Sequence, residues 1–86
     1  MAEYSIVFAR SARKELEDLP QLLKTRILNR IEKLSANARP EGVRKLVGSE
    51  YLWRLRIGDY RVIYGVYDEQ KLVDIIHIRH RRDAYR

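Results

Sequence analysis

Cysteine is absent from the 86 residues. Without a thiol there is no disulfide framework, no thiol nucleophile and no cysteine-based zinc site. Histidine occurs only at His77 and His80. Residues three apart on an extended strand point to opposite faces, so this pair is not set to chelate one ion. No cluster of Asp, Glu and His has metal-ligand spacing elsewhere. The four glycines form neither a phosphate loop nor a dinucleotide fingerprint. No serine lies in a nucleophile motif, and no carboxylate pair stands out for glycosidase chemistry. No apolar run reaches the roughly 18 residues that a membrane span needs. Met1–Phe8 lacks the basic-then-apolar order of a signal peptide. We therefore expect a cytoplasmic protein with no metal, no cofactor and no membrane contact.

What is present is an ordinary foldable mixture, 45% apolar and 35% charged. Its length makes one domain, spanning residues 1–86. Eighteen Lys and Arg against twelve Asp and Glu give a net charge of +6. Such a surface suits an acidic partner, which could be RNA, DNA or an acidic protein. Solubility alone is the plainer explanation of the charge.

The periodicities predict an α+β chain. Glu3 to Phe8 reads as a strand. Ala9 to Leu19 reads as a helix with Ala12, Leu16 and Leu19 on one side, and with Arg13, Lys14, Glu15, Glu17 and Asp18 as its solvated face. Ser11 is a candidate cap or first-turn residue. Pro20 to about Asn37 reads as a longer helix with Leu23, Ile27, Ile31 and Leu34 as its stripe, widened by Leu28. The short connection makes the helices an antiparallel pair. Val43 to Val47, Tyr51 to Ile57, Tyr60 to Tyr67 and Leu72 to Arg79 alternate as strands. The expected architecture is two helices on one face of a mostly antiparallel four-stranded sheet.

The stretch Tyr51 to Tyr67 carries most of the functional signal. A two-residue loop at Gly58-Asp59 would set Ile57 opposite Tyr60 and Arg56 opposite Arg61. Tyr51, Trp53, Leu55, Ile57, Tyr60, Val62, Tyr64 and Val66 then share the core face. Arg54, Arg56 and Arg61 share the other. Like charges directly opposite destabilise a sheet, so a polyanion there would explain their presence. Arginine binds phosphate oxygens in pairs and keeps its charge. RNA cleavage by a neighbouring 2′-hydroxyl needs cations around the phosphate and groups to move two protons, but no metal. His77, inside an apolar strand, reads as structural. Arg79 and Arg82 suit phosphate steering, and Tyr85 and His80 complete the tail.

The pattern YxIxF near the start, Ala12-Arg13-Lys14-Glu15-Leu16, Lys45-Leu46-Val47-Gly48, the segment Arg54 to Tyr64 and the closing IxHRRDAYR together resemble the RelE/ParE superfamily of bacterial toxins. The match runs over essentially the whole chain. It implies the toxin of a type II toxin–antitoxin pair with a compact RelE-like fold. The RelE branch, which this chain resembles more, implies a ribosome-dependent endoribonuclease cutting mRNA without a metal. The ParE branch implies DNA gyrase inhibition, and a basic RNA-binding module without catalysis is a third option. The resemblance implies that Arg61 and Arg81 contact the scissile phosphate and that Tyr85 orients or stacks on the nucleotide. Several members carry lysines at the positions of Leu52 and Arg54. Arginine is not deprotonated, so His80 becomes the candidate base, with Arg54 kept as a catalytic cation. Arg44, Lys45, Arg56, Arg79 and Arg82 are the expected RNA-binding residues. Expected partners are an acidic RelB-like antitoxin, the ribosome with its mRNA, and operator DNA only through the antitoxin complex.

Overall fold

The computed structural model describes residues 3–82. β1 (Ser5–Phe8) is followed by α1 (Arg10–Glu17) and α2 (Gln21–Glu32), whose end tightens into a 3₁₀ turn at Lys33–Ser35. Then come β2 (Arg44–Lys45), β3 (Leu52–Ile57), β4 (Tyr60–Tyr67) and β5 (Leu72–His80). The strand order is β1-β5-β4-β3-β2. β1 runs parallel to β5, and every other neighbour is antiparallel. The α+β class and the mostly antiparallel sheet follow the sequence pattern, but the sheet has five strands rather than four. Of the expected strand at Val43–Val47 only Arg44 and Lys45 pair in the ladder. Gly48, at φ +85°, turns the chain back before the ladder can lengthen.

Ala12 and Leu16 of α1 and Ile27 and Ile31 of α2 are buried, as their spacing predicts. Pro20 precedes α2 as its cap, where a missing N–H costs nothing. From the sheet, Leu55, Ile57, Val62, Tyr64, Val66, Val73, Ile75 and Ile78 complete the core. Trp53 and Tyr60 are half-buried against it. Tyr64 is fully buried, its hydroxyl donating to the Ala38 carbonyl at 2.9 Å. Burial pushes its pKa up to about 12. Tyr51, expected inside, is exposed. It stands ahead of β3, outside the alternation, and stacks on Tyr67 with ring centroids 5.1 Å apart.

The hairpin has the expected register, Ile57 against Tyr60 and Arg56 against Arg61. Gly58, first in the loop, takes φ +58°, a left-handed conformation that glycine adopts without strain. A register shift falls opposite Ile63 and Tyr64, which pair with His77 and Ile75 and leave Ile76 as the extra residue. The shift reverses the phase of β5. Val73, Ile75 and Ile78 all reach the core, while His77 and Arg79 take the opposite face.

The outer edge of β5 is closed in two ways. β1 pairs as far as Phe8 against Ile75. Beyond that point α1 takes over. Ala9 N–H donates to Ile75 O at 2.8 Å. Ser11, in the first turn of α1, donates through Oγ to Ile76 O at 2.9 Å, and Ile78 N–H donates to Glu15 Oε1 at 3.0 Å. Ser11 and Glu15 lie four apart, on one side of the helix. Their side chains satisfy backbone groups that a strand would otherwise cover.

At the other end of the sheet Asp68 clasps three elements. Arg39 donates to it through both Nη atoms, at 3.1 and 2.7 Å, and the Tyr4 hydroxyl donates to Oδ1. Arg39 also sits 5.4 Å from the centroid of the Trp53 ring. The hydrogen bond from Arg39 draws the Asp68 pKa down to about 2, from 3.8. A folded pKa below the unfolded one stabilises the fold above pH 3.8 and loses that contribution as pH falls towards 2. Asp68→Asn should therefore melt below the parent at neutral pH, with the gap closing by pH 2. Melts followed by circular dichroism between pH 2 and 7 check this, and a gap independent of pH would refute it. No helix among the described residues is long and apolar enough to cross a membrane.

Candidate functional site

The registers build a row of arginines across the sheet. Arg56 on β3 faces Arg61 on β4, and Arg61 faces Arg79 on β5. With strands about 4.8 Å apart, the row spans about 10 Å at the backbone. Arg54 lies two residues before Arg56, on the same face, and pairs with Arg44 of β2. Five arginines from four strands thus share the face turned away from the core. Arg44 and Arg56 are exposed, Arg54 and Arg79 are half-buried, and Arg61 retains only 6% of its exposure. Lys45 pairs with Trp53 and belongs to the opposite face. Sequence periodicity anticipates Arg54, Arg56 and Arg61 together. Arg79 completes the row because of the shift at Ile76.

Such a row opposes folding through like-charge repulsion. At its β5 end the cost is offset by Glu15, which accepts a bond from Arg79 Nε through Oε2 at 3.0 Å. Oε1 of the same carboxylate accepts the Ile78 N–H and lies 3.5 Å from His77 Nδ1. Sequence reasoning places Glu15 on the solvated face of α1 and misses this role. The signal available was its position four residues after Ser11, flanked by Ala12 and Leu16, which dock against β5.

His80 and the residues after it form a second group at the rim. His80 pairs with Tyr60, on the opposite face from Arg79, and its ring stands edge-on to Tyr60 at 5.3 Å. Arg81 N–H donates to Asp59 O at 2.7 Å, tying the end of β5 to the hairpin loop. Asp59, His80, Arg81 and Arg82 line an open depression of about 700 Å³. His80 Nδ1 accepts the Arg82 backbone N–H at 3.3 Å. Tyr85 lies outside the described residues. Among the described residues no three His, Asp or Glu side chains come together to hold a metal ion.

A face of guanidinium groups, with an imidazole at its rim, is suited to holding and polarising phosphate. The fold carrying it belongs to a known class of small toxins. The family model described as the ParE toxin of the type II toxin–antitoxin system parDE matches residues 6–85. A Methanocaldococcus jannaschii protein named toxin RelE1 is 30% identical over 98% of this chain and 97% of its own length. The toxin fold in the archaeal RelE–RelB complex from Pyrococcus horikoshii superposes with a TM-score of 0.82 at 32% identity, covering 94% of this chain and 97% of that one. The toxin–antitoxin complex RelBE2 from Mycobacterium tuberculosis gives 0.77 at 26% identity, covering 91% and 98%. The chain belongs to the RelE/ParE superfamily of type II toxins.

Proposed function

We propose that this toxin is an endoribonuclease of the RelE kind, cutting mRNA on the ribosome without a metal and so arresting translation. The observation that carries this reading is the arginine row Arg56–Arg61–Arg79 beside the rim group His80, Arg81 and Arg82. The likeness to RelE proteins at 30% and 32% identity supports it.

In this reading the 2′-hydroxyl attacks the neighbouring phosphorus, and Arg61 and Arg81 hold the phosphate as its charge grows. Arg54 lends further positive charge. Arg44, Arg56 and Arg82 grip the flanking RNA, and Arg79, beside Arg61, binds at the phosphate being cut. His80 takes the proton of the attacking 2′-hydroxyl, and the imidazolium so formed gives a proton to the leaving 5′-oxygen. Tyr85 orients the nucleotide at the cut. An acidic, RelB-like antitoxin neutralises the toxin by folding over the same cationic face in the cytoplasm. Solved relatives complexed with RelB support such a partner. Operator DNA is reached only through that complex.

Mapping 5′ RNA ends after induction tests the proposal. New ends within translated codons, absent with Arg61→Ala and Arg81→Ala, are the expected result. Growth arrest with intact transcripts sinks it. DNA damage without new RNA ends would instead favour gyrase inhibition, the reading to which the ParE description of the matching family points.

A further inference from the structure

We propose that Glu15 is a positioning residue for RNA cleavage, holding the Arg79 guanidinium in line with Arg61 and fixing the sheet edge that carries it. The inference rests on the endoribonuclease reading.

Arg79 is two residues past His77 in a strand whose outer edge has already lost β1 as a partner. Left alone, that edge would present an unpaired Ile78 N–H beside a long, unrestrained arginine. Glu15 answers both. Oε1 accepts Ile78 N–H at 3.0 Å, and Oε2 accepts Arg79 Nε–H at 3.0 Å. Both oxygens of one carboxylate are thus committed to adjacent residues of β5. The helix holds Glu15 itself: Ala12 and Leu16 are buried in the core, and Ser11 is bonded to Ile76. A carboxylate on a docked helix is a rigid anchor, which is what positioning requires.

The chemistry of the contact matters as much as its place. Arginine offers five N–H donors in a fixed fork. Glu15 takes the one on Nε and leaves the two terminal nitrogens for another ligand. The side chain of Arg79 keeps 42% of its exposure, so those nitrogens remain within reach of a phosphate. Binding at Nε restrains the direction of the fork without consuming the end that meets RNA. The negative charge also relieves repulsion between Arg79 and Arg61, which are direct neighbours across the sheet.

The test is cleavage of a defined mRNA on programmed ribosomes by the parent, Glu15→Gln, Arg79→Ala and the double variant. Glutamine keeps an acceptor for Ile78 N–H and loses the charge that restrains Arg79. The expected result is a kcat lowered roughly 10- to 100-fold with KM unchanged or lower, since a mispositioned group slows the chemistry while the more basic surface still attracts RNA. In the Arg79→Ala background Glu15→Gln should then change kcat less than about twofold, because its partner is already gone. A merely structural role would instead raise KM, lower the melting temperature and persist in full without Arg79, and that pattern overturns the proposal. So does a Glu15→Gln chain that cuts within about twofold of the parent. A parent that cuts no mRNA defeats the endoribonuclease reading itself, a result distinct from a parent that cuts alongside equally active Glu15 variants.

Discussion

Arg61→Ala is expected to cut mRNA about 10²–10³-fold more slowly than the parent, the loss that follows removal of one preorganised group facing developing charge. Arg61 is the middle member of the arginine row and the only one nearly sealed from water. A buried cation acts through a lower dielectric than an exposed one, so each contact it makes with phosphate counts for more. Arg61→Lys keeps a charge but loses the planar fork, and should recover only part of the activity. Arg44 sits at the sheet edge on a two-residue strand, exposed. Its alanine variant should lose no more than a few-fold, mostly in RNA affinity and mostly at low salt. Single-turnover cleavage on programmed ribosomes separates these cases. Arg61→Ala and Arg44→Ala losing activity equally would mean that the row acts only as a diffuse attractive surface.

Ile75→Ala should cost about 2–5 kcal/mol of folding stability. Ile75 is fully buried and lies on the strand flanked by both β1 and β4. It is also where the edge of β5 passes from β1 to α1, since its carbonyl accepts the Ala9 N–H. A cavity there loosens the sheet and the helix that holds Glu15. For a domain whose total stability is about 5–15 kcal/mol, this is a large fraction. Urea unfolding followed by circular dichroism measures it directly, and a loss below about 1 kcal/mol would show that the site collapses onto the gap. Val7, on the exposed side of β1, should tolerate alanine far better.

Local periodicity carries most of the architecture. The stripes at Ala12/Leu16 and Ile27/Ile31, the break at Pro20 and the hairpin at Gly58-Asp59 are all short-range features, and all are realised. The resemblance carried by Arg54 to Tyr64 and by the closing HRRDAYR extends that reading to the superfamily. Properties arising from distant pairing were less accessible. The phase of β5 changes at Ile76, where the two adjacent isoleucines, Ile75 and Ile76, give no sign of which one is extra. The face of Arg79 therefore follows from its partner strand, not from its neighbours in sequence. Glu15 is one acid among several on an ordinary-looking helix face. It becomes distinct only when α1 lies along an unfinished strand edge. Tyr51 is exposed although its period places it inside, because β3 begins only at Leu52.

The place of β5 in the sheet has a consequence for how the toxin comes into being. It lies between β1 and β4 in space, yet among the described residues it is the last strand in sequence. During synthesis β1 has no partner while the helices and the hairpin emerge, because Ser5 must wait for Leu72. Contacts between such distant segments form slowly, as the intervening chain must first be confined. Until β5 docks, Arg79 is not beside Arg61 and Glu15 has nothing to hold. The growing chain thus has no assembled cationic row until β5 has been made, and the row appears together with the completed sheet.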